Sequence, residues 1–273
     1  MDKGKVLELL KEKKRRIEEN RIKDYESYEY QKKFHSEGKG SAQRILMAAN
    51  RVGKTFCGAA ETSYHMTGLY PKWWEGKTFD HPVRVWAAGE SNDTTRDIIQ
   101  RELFGVPQDP TKLGHGAVPK EHIVNTVRKP GVPNAFSSAL VKHKSGGNSS
   151  ISFKAYEQGF EKFMGEAVDV VWLDEEPKQE IFSQCITRTA DTGGIVYMTF
   201  TPEKGMTQVV SSFLNELKPG QSLITATWDD VDHLDPATKE QLLSVYSPAE
   251  RDMRSKGIPV FGSGLIFPVS EED

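Results

Sequence analysis

Apolar residues in this chain gather into short runs, and several of these are continuous rather than alternating. Residues 45–49, 83–88, 151–155, 168–173, 195–199 and 223–228 read as strands, and the continuous ones fit strands covered on both faces. Helical patterns stand between them. The arrangement predicts an α/β fold with a mostly parallel central sheet flanked by helices. At the N-terminus, residues 1–24 place Val6, Leu9, Leu10 and Ile17 on one side of a charged amphipathic helix. Residues 105–150, rich in Gly and Pro, read as a long insertion, and His143 to Ser150 as a mobile loop within it. Further on, Asp235-Pro236 marks one helix start, and Ser247-Pro248-Ala249-Glu250 marks another with a capping-box glutamate. Gly257 and Pro259 stop that second helix. Residues 229–262 thus read as a small helical appendage on the sheet.

Composition adds exclusions. At 273 residues, with 37% hydrophobic and 27% charged residues, the chain has the make-up of a soluble globular protein with a sizeable core. No apolar run approaches the roughly 20 residues of a membrane span, and the first residues lack the apolar core of a signal peptide. Cys57 and Cys185 are far apart without C-x-x-C spacing, which points to reduced thiols in a cytosolic protein and no zinc site. A net charge of −3 gives no support for a nucleic-acid partner. The cluster Lys13-Lys14-Arg15-Arg16 reads as a solvated helix face, because acids flank it. Trp73-Trp74 reads as packing, and Asp229 to Asp235 as a turn with helix caps rather than a metal site.

The sharpest chemical signal is Ala48-Ala49-Asn50-Arg51-Val52-Gly53-Lys54-Thr55. It follows the phosphate-loop pattern G-x-x-x-x-G-K-[ST], with alanine at the first glycine, tolerable if Ala48 keeps a negative φ. A strand precedes it, and Phe56 opens the helix that follows, so amides at the helix start face the phosphates. Lys54 is expected to reach the β- and γ-phosphates and Thr55 to hold magnesium. The strand ending in Leu173-Asp174-Glu175-Glu176 carries acids at its C-terminal end, where ligands of open α/β sheets sit. There Asp174 is placed to hold magnesium through water and Glu175 to activate the attacking water. Glu176 reads as a cap for the next helix and Asp169 as a structural polar contact. Thr199 and Thr201, one strand later, are expected to couple loss of the γ-phosphate to the rest of the protein. Gln31, 17 residues before the loop, is expected to pair with adenine among nearby aromatics. Arg51 is a candidate for neutralising charge on the γ-phosphate. The expected nucleotide contacts are thus Gln31, Ala48, Asn50, Arg51, Val52, Gly53, Lys54, Thr55 and Phe56. The catalytic candidates are Glu175, Lys54 and Arg51.

Together these residues resemble the ATPase domain of large terminase subunits, the DNA-packaging motors of tailed bacteriophages, most of all headful-packaging phages with short tails. The similarity runs from about Tyr25 to Phe267. It includes Gln31, the phosphate loop, Gly58-Ala59-Ala60-Glu61, His65 through Pro71, Val141-Lys142-His143, Leu173-Asp174-Glu175-Glu176-Pro177, Thr199-Phe200-Thr201-Pro202, and Gly257-Ile258-Pro259 through Phe267. The resemblance implies a P-loop NTPase core of the additional-strand type over residues 36–228, after a helical lead-in at 1–35. It implies a lid subdomain at 229–273 that begins the linker to a nuclease domain, which the chain itself is not expected to contain. ATP and magnesium are the implied cofactors. The implied partners are double-stranded DNA, the portal protein, the small terminase subunit and copies of the chain in a ring on the procapsid. The isolated chain is expected to be monomeric. It is expected in the host cytoplasm and transiently at the procapsid portal, neither secreted nor in a membrane. Family members do not all carry arginine at the Arg51 position, so a finger from a neighbour, with Arg96 and Arg101 as candidates, stays open. Lys142 and Lys144 are candidates for DNA phosphate contacts. A helicase-type ATPase and a nucleotide-binding assembly module with little hydrolysis remain alternative readings.

Overall fold

The computed structural model describes residues 3–259. Its centre is an eight-stranded sheet in the order β3-β4-β5-β2-β6-β7-β1-β8. The strands are β1 (Gln43–Ala48), β2 (Arg84–Gly89), β3 (Ile123–Arg128), β4 (Phe136–Lys142), β5 (Asn148–Ala155), β6 (Val170–Asp174), β7 (Ile195–Phe200) and β8 (Gln221–Ala226). From β5 to β8 every pairing is parallel, while β3, β4 and β5 pair antiparallel at one edge. β7 separates β1, which leads into the phosphate loop, from β6, which carries the acids. That inserted strand is what the additional-strand expectation requires.

The continuous apolar runs arise because both faces of the sheet are covered. On β1, Leu46 and Ala48 enter one core, while Ile45 and Met47 enter the other. The first core receives α2 (Glu29–Glu37) through Tyr30 and Phe34 and α3 (Lys54–Thr67) through Cys57, Ala59, Ala60 and Tyr64. The helical run α4 (Asn92–Thr94), a π-helical turn (Thr95–Gln100) and α5 (Arg101–Phe104) packs on the same side through Ile99, Leu103 and Phe104. The opposite core takes Ile181, Phe182 and Cys185 of α6 (Gln179–Ala190), and Val209, Val210 and Phe213 of α7 (Gln208–Leu214). Gly58 lets α3 lie directly on the sheet, since a Cβ there would collide with the Trp172 indole.

Several expectations shift. The N-terminal helix α1 (Lys3–Glu18) is shorter than 1–24 and is followed by a 3-10 turn, Arg21–Asp24. The boundary drawn at residue 35 falls inside α2, which is fused to the core. The segment 105–150 is not a loose insertion. Its later part contributes β3 and β4, which extend the sheet antiparallel to β5. His143 to Ser150 is likewise no mobile loop: His143 is fully buried, Lys144 N donates to Thr67 O at 2.9 Å, and Ser149 Oγ donates to Met66 O at 2.8 Å. After β8, α8 (Pro236–Val245) and α9 (Pro248–Lys256) form the expected appendage, with Asp235 capping α8 through Thr238 N. The motif segment from Gly262 to Phe267 and the linker start lie outside the described residues. No described helix is long and apolar enough to cross a membrane.

Candidate functional site

The phosphate loop leaves β1 at the C-terminal edge of the parallel strands and turns into α3. Arg51 has φ 63° and Gly53 φ 87°, both left-handed, whereas Ala48 keeps a negative φ. Alanine at the first position therefore meets no backbone penalty. The amides of residues 51–56 have no acceptor among the described hydrogen bonds. A run of unpaired N–H groups over a helix N-terminus is an anion cradle. The loop carbonyls, by contrast, are taken. Thr201 Oγ1 lies 2.9 Å from Ala48 O, and Lys54 Nζ donates to Ala49 O at 3.0 Å. Tyr30 OH donates to Val52 O, and Gln31 Nε2 to Gly53 O at 3.2 Å. The amides of Ala49 and Asn50 are used as well, donating to Ala226 O and Arg254 O at 2.8 Å. Ala48 and Asn50 thus shape the loop, while the free amides begin at Arg51.

The acids stand across from it. Asp174 Oδ1 accepts from Thr199 Oγ1 at 2.7 Å, and Thr199 Oγ1 accepts from Trp172 Nε1 at 2.9 Å. Burial pushes the Asp174 carboxyl up to about 6, against the pull of Thr199, Lys54 and the Thr55 hydroxyl. Glu175 is pushed up to about 7, by burial first and by the Asp174 charge second. Its backbone is left-handed, φ 64°, a strained state for a non-glycine residue that surrounding contacts must hold. Those contacts are Glu175 N to Thr199 O at 3.0 Å and the Tyr156 hydroxyl, 2.9 Å from Glu175 O and 3.1 Å from Asp174 O. Lys54, itself pushed down by burial, places Nζ 2.7 Å from Thr201 Oγ1. Thr199 in β7 thus touches the acid, and Thr201 just beyond it touches the loop. Thr55 and Asp174 bring two hard oxygen donors together, a set that fits magnesium.

A family model described as "Terminase large subunit, T4likevirus-type, N-terminal" matches residues 45–273. The chain belongs to the terminase large subunit family. The large terminase subunit of Salmonella phage P22 is 37% identical over 284 residues, covering 98% of this chain and 57% of that protein. The large terminase of a thermophilic bacteriophage, solved in complex with ADP, aligns with a TM-score of 0.63 at 14% identity over 85% of this chain and 52% of that one. The large terminase ATPase domain of Thermus phage P74-26 aligns with a TM-score of 0.60 at 15% identity, over 88% of this chain and 96% of that one. At such identity the two structures share the fold. The chain spans 57% of the length of the P22 protein and 52% of that of the ADP-bound terminase. The terminase resemblance and the α/β expectation are both borne out.

Within this terminase fold, Lys54, Thr55, Asp174, Glu175, Thr199 and Thr201 gather at one edge of the sheet. Gln31 is buried and close to the loop, but its amide oxygen accepts from Tyr28 N and Tyr25 OH, both at 3.0 Å. Pairing with adenine requires it to release those partners. Arg51 is exposed. Arg96 is engaged, 2.7 Å from both Asp93 and Asp97, whereas Arg101 is exposed. Lys142, the last residue of β4, and Lys144, on the β4–β5 connection, are exposed. Glu176 does not cap α6. It is buried and accepts from Thr207 Oγ1, the N-cap of α7. Asp169 is structural as expected, accepting from Arg84 N at 2.7 Å. Trp73 and Trp74 pack among His35, Tyr64, His65 and Tyr70, also as expected. The Tyr156 and Tyr30 hydroxyls hold site backbone. Tyr30 is marked in the sequence only as one of the aromatics beside Gln31, and Tyr156 belongs to no motif that would mark it.

Proposed function

We propose that this domain is the ATPase motor of a DNA-packaging terminase, hydrolysing ATP with magnesium to move double-stranded DNA into a procapsid. The observation that carries the nucleotide site is the run of free amides at residues 51–56 facing the edge that holds Asp174 and Glu175. The thermophilic-phage relative was solved with ADP, which agrees with it. Lys54 leaves Ala49 and Thr201 to meet the β- and γ-phosphates, and Thr55 and Asp174 hold magnesium, which when bound offsets phosphate charge. Glu175 takes a proton from the attacking water. A base with a pKa near neutral is matched to that task. Thr199 and Thr201 join the acid to the loop, so loss of the γ-phosphate is felt along β7. Gln31 contacts adenine once freed from Tyr25 and Tyr28. Arg51, or Arg101 of a neighbour in a ring, supplies the positive charge for the transition state. The portal, the small terminase subunit and procapsid-bound copies of the chain are its partners, in the host cytoplasm.

Two variants test the core of this reading. Lys54→Ala is expected to lose nucleotide affinity. Glu175→Ala is expected to keep ATP binding and lose hydrolysis by at least about a hundredfold, the range for a positioned acid–base group. Wild-type turnover in Glu175→Ala would remove it as the base. Negligible turnover in the parent chain, even at high protein concentration and with DNA, would favour an assembly module. Strand separation would favour a helicase.

A further inference from the structure

Two loop carbonyls remain, those of Asn50 and Arg51, and their donors come from the far side of the chain. Trp228 Nε1 donates to Asn50 O at 2.8 Å. His233 Nε2 lies 2.8 Å from Arg51 O, and its Nδ1 lies 2.9 Å from Tyr28 OH. A carbonyl only accepts, so Nε2 carries the proton; in the neutral ring Nδ1 then accepts from the Tyr28 hydroxyl. In that neutral tautomer the hydrogen bonds run from Tyr28 to His233 to Arg51. With these two, every carbonyl from Ala49 to Gly53 has a side-chain donor, while Ala48 O shares the Thr201 hydroxyl with Asn50 Oδ1, and the outward pull on the oxygens leaves the amides inward. Both donors lie between β8 and α8, in the Trp228–Asp230 turn and just after it. The same appendage supplies Arg254 O to Asn50 N, and its Gly257 sits where a Cβ would be 2.7 Å from the Ala48 Cα.

We propose that Trp228 and His233, with Tyr28 behind the histidine, are positioning residues for the phosphate loop. They hold the Asn50 and left-handed Arg51 peptides so that the amides of residues 51–56 stay aimed at the phosphates. Such a backbone state persists only where its surroundings over-determine it. The inference rests on the nucleotide-site reading above. It makes the seating of the appendage and nucleotide affinity one linked equilibrium, each strengthening the other.

Loop amides contact phosphates in the ground state and the transition state alike, so losing their alignment raises KM and spares kcat. The test measures ATP turnover, ADP binding with magnesium, and melting temperature for Trp228→Phe, His233→Ala and His233→Gln. Trp228→Phe keeps an aromatic ring and loses the donor; His233→Gln keeps a donor for Arg51 O and an acceptor for Tyr28. About a three- to tenfold rise in KM and in the ADP Kd is expected for Trp228→Phe and His233→Ala, the size of one hydrogen bond. Their kcat is expected within about twofold of the parent, and His233→Gln is expected to restore affinity. Unchanged affinity in His233→Ala, or a fall in kcat at constant KM, overturns the proposal. Lys54→Ala, measured alongside, separates the two readings. Parental affinity there would remove the nucleotide site itself. Lost affinity in Lys54→Ala with parental affinity in His233→Ala would remove only the positioning role.

Discussion

Asp174 and Glu175 are adjacent in sequence yet lie in different surroundings, which suit them to the different tasks proposed for them. Asp174 is tied to Thr199 and faces Thr55, a place for a metal-holding carboxylate. Glu175 has lost water and sits beside that charge, so its carboxyl titrates near 7. The unfolded chain binds that proton only below about 4.5, the ordinary glutamate value. Between those two values the folded state holds the extra proton, so stability falls as pH rises through the window. Glu175→Gln removes the loss. In magnesium-free buffer its melting temperature is expected to match the parent near pH 4.5 and to exceed it at about pH 8, beyond both values. A difference that shrinks or reverses on the alkaline side would show that burial does not raise this carboxyl. The residues of the motif were legible in the sequence because phosphate and metal chemistry prescribes them at fixed spacing. Their electrostatic tuning was not, because it depends on which groups exclude water from them.

Between elements, two contacts decide how the site is built. The first runs from Gly58 of α3 through Trp172 of β6 to Thr199 of β7 and Asp174. Gly58→Ala forces the buried indole to move. About 1–3 kcal/mol of destabilisation is expected from overpacking. ATP hydrolysis is expected to fall with it, because Thr199 loses the donor that aims it; a stable variant with parental kinetics would show the chain is slack. The second contact is fully buried. Glu61 of α3 accepts from Arg44 of β1, with His35 Nδ1 at 2.8 Å and His65 Nε2 at 3.3 Å. Burial pushes the Glu61 carboxyl up, but Arg44 and the two histidines outweigh it and hold it well below the usual carboxylate range. Removing one partner leaves a buried charge alone, so Arg44→Ala is expected to cost about 3–5 kcal/mol in urea melts. The sign for acid follows from the lowered value. Glu61 adds stability above the ordinary glutamate range, and that stability is lost as pH falls toward its folded value. Arg44→Ala should therefore flatten the acid limb of the stability profile. Glu61 stood out in the sequence only through the family resemblance, and Arg44 not at all. An arginine inside a strand run reads as an edge until its partner is seen. The strands β3 and β4 were misread for a related reason: β3 lies at the sheet edge, exposes Val124 and Val127, and lacks the apolar run of the inner strands.

At the scale of the molecule, the parallel strands bring the ends of β1, β6 and β7 to one edge, and that edge is where the domain is proposed to act on ATP. If Arg101 of a neighbour completes the site, turnover per chain is expected to rise with protein concentration until rings form; a rate per chain independent of concentration would place the charge on Arg51 instead. The sequence by itself determined the fold class, the phosphate loop, the acids and the family, because backbone geometry and phosphate chemistry leave few residue choices at those positions. The tertiary structure alone decided which donors hold the loop carbonyls, where Gln31 spends its amide, how far the carboxyls shift and that part of the supposed insertion is sheet. Those outcomes depend on contacts between positions as distant in sequence as Arg51 and His233, and the requirement on such a pair is only that a donor meet an acceptor, which many residue types satisfy and no local pattern records.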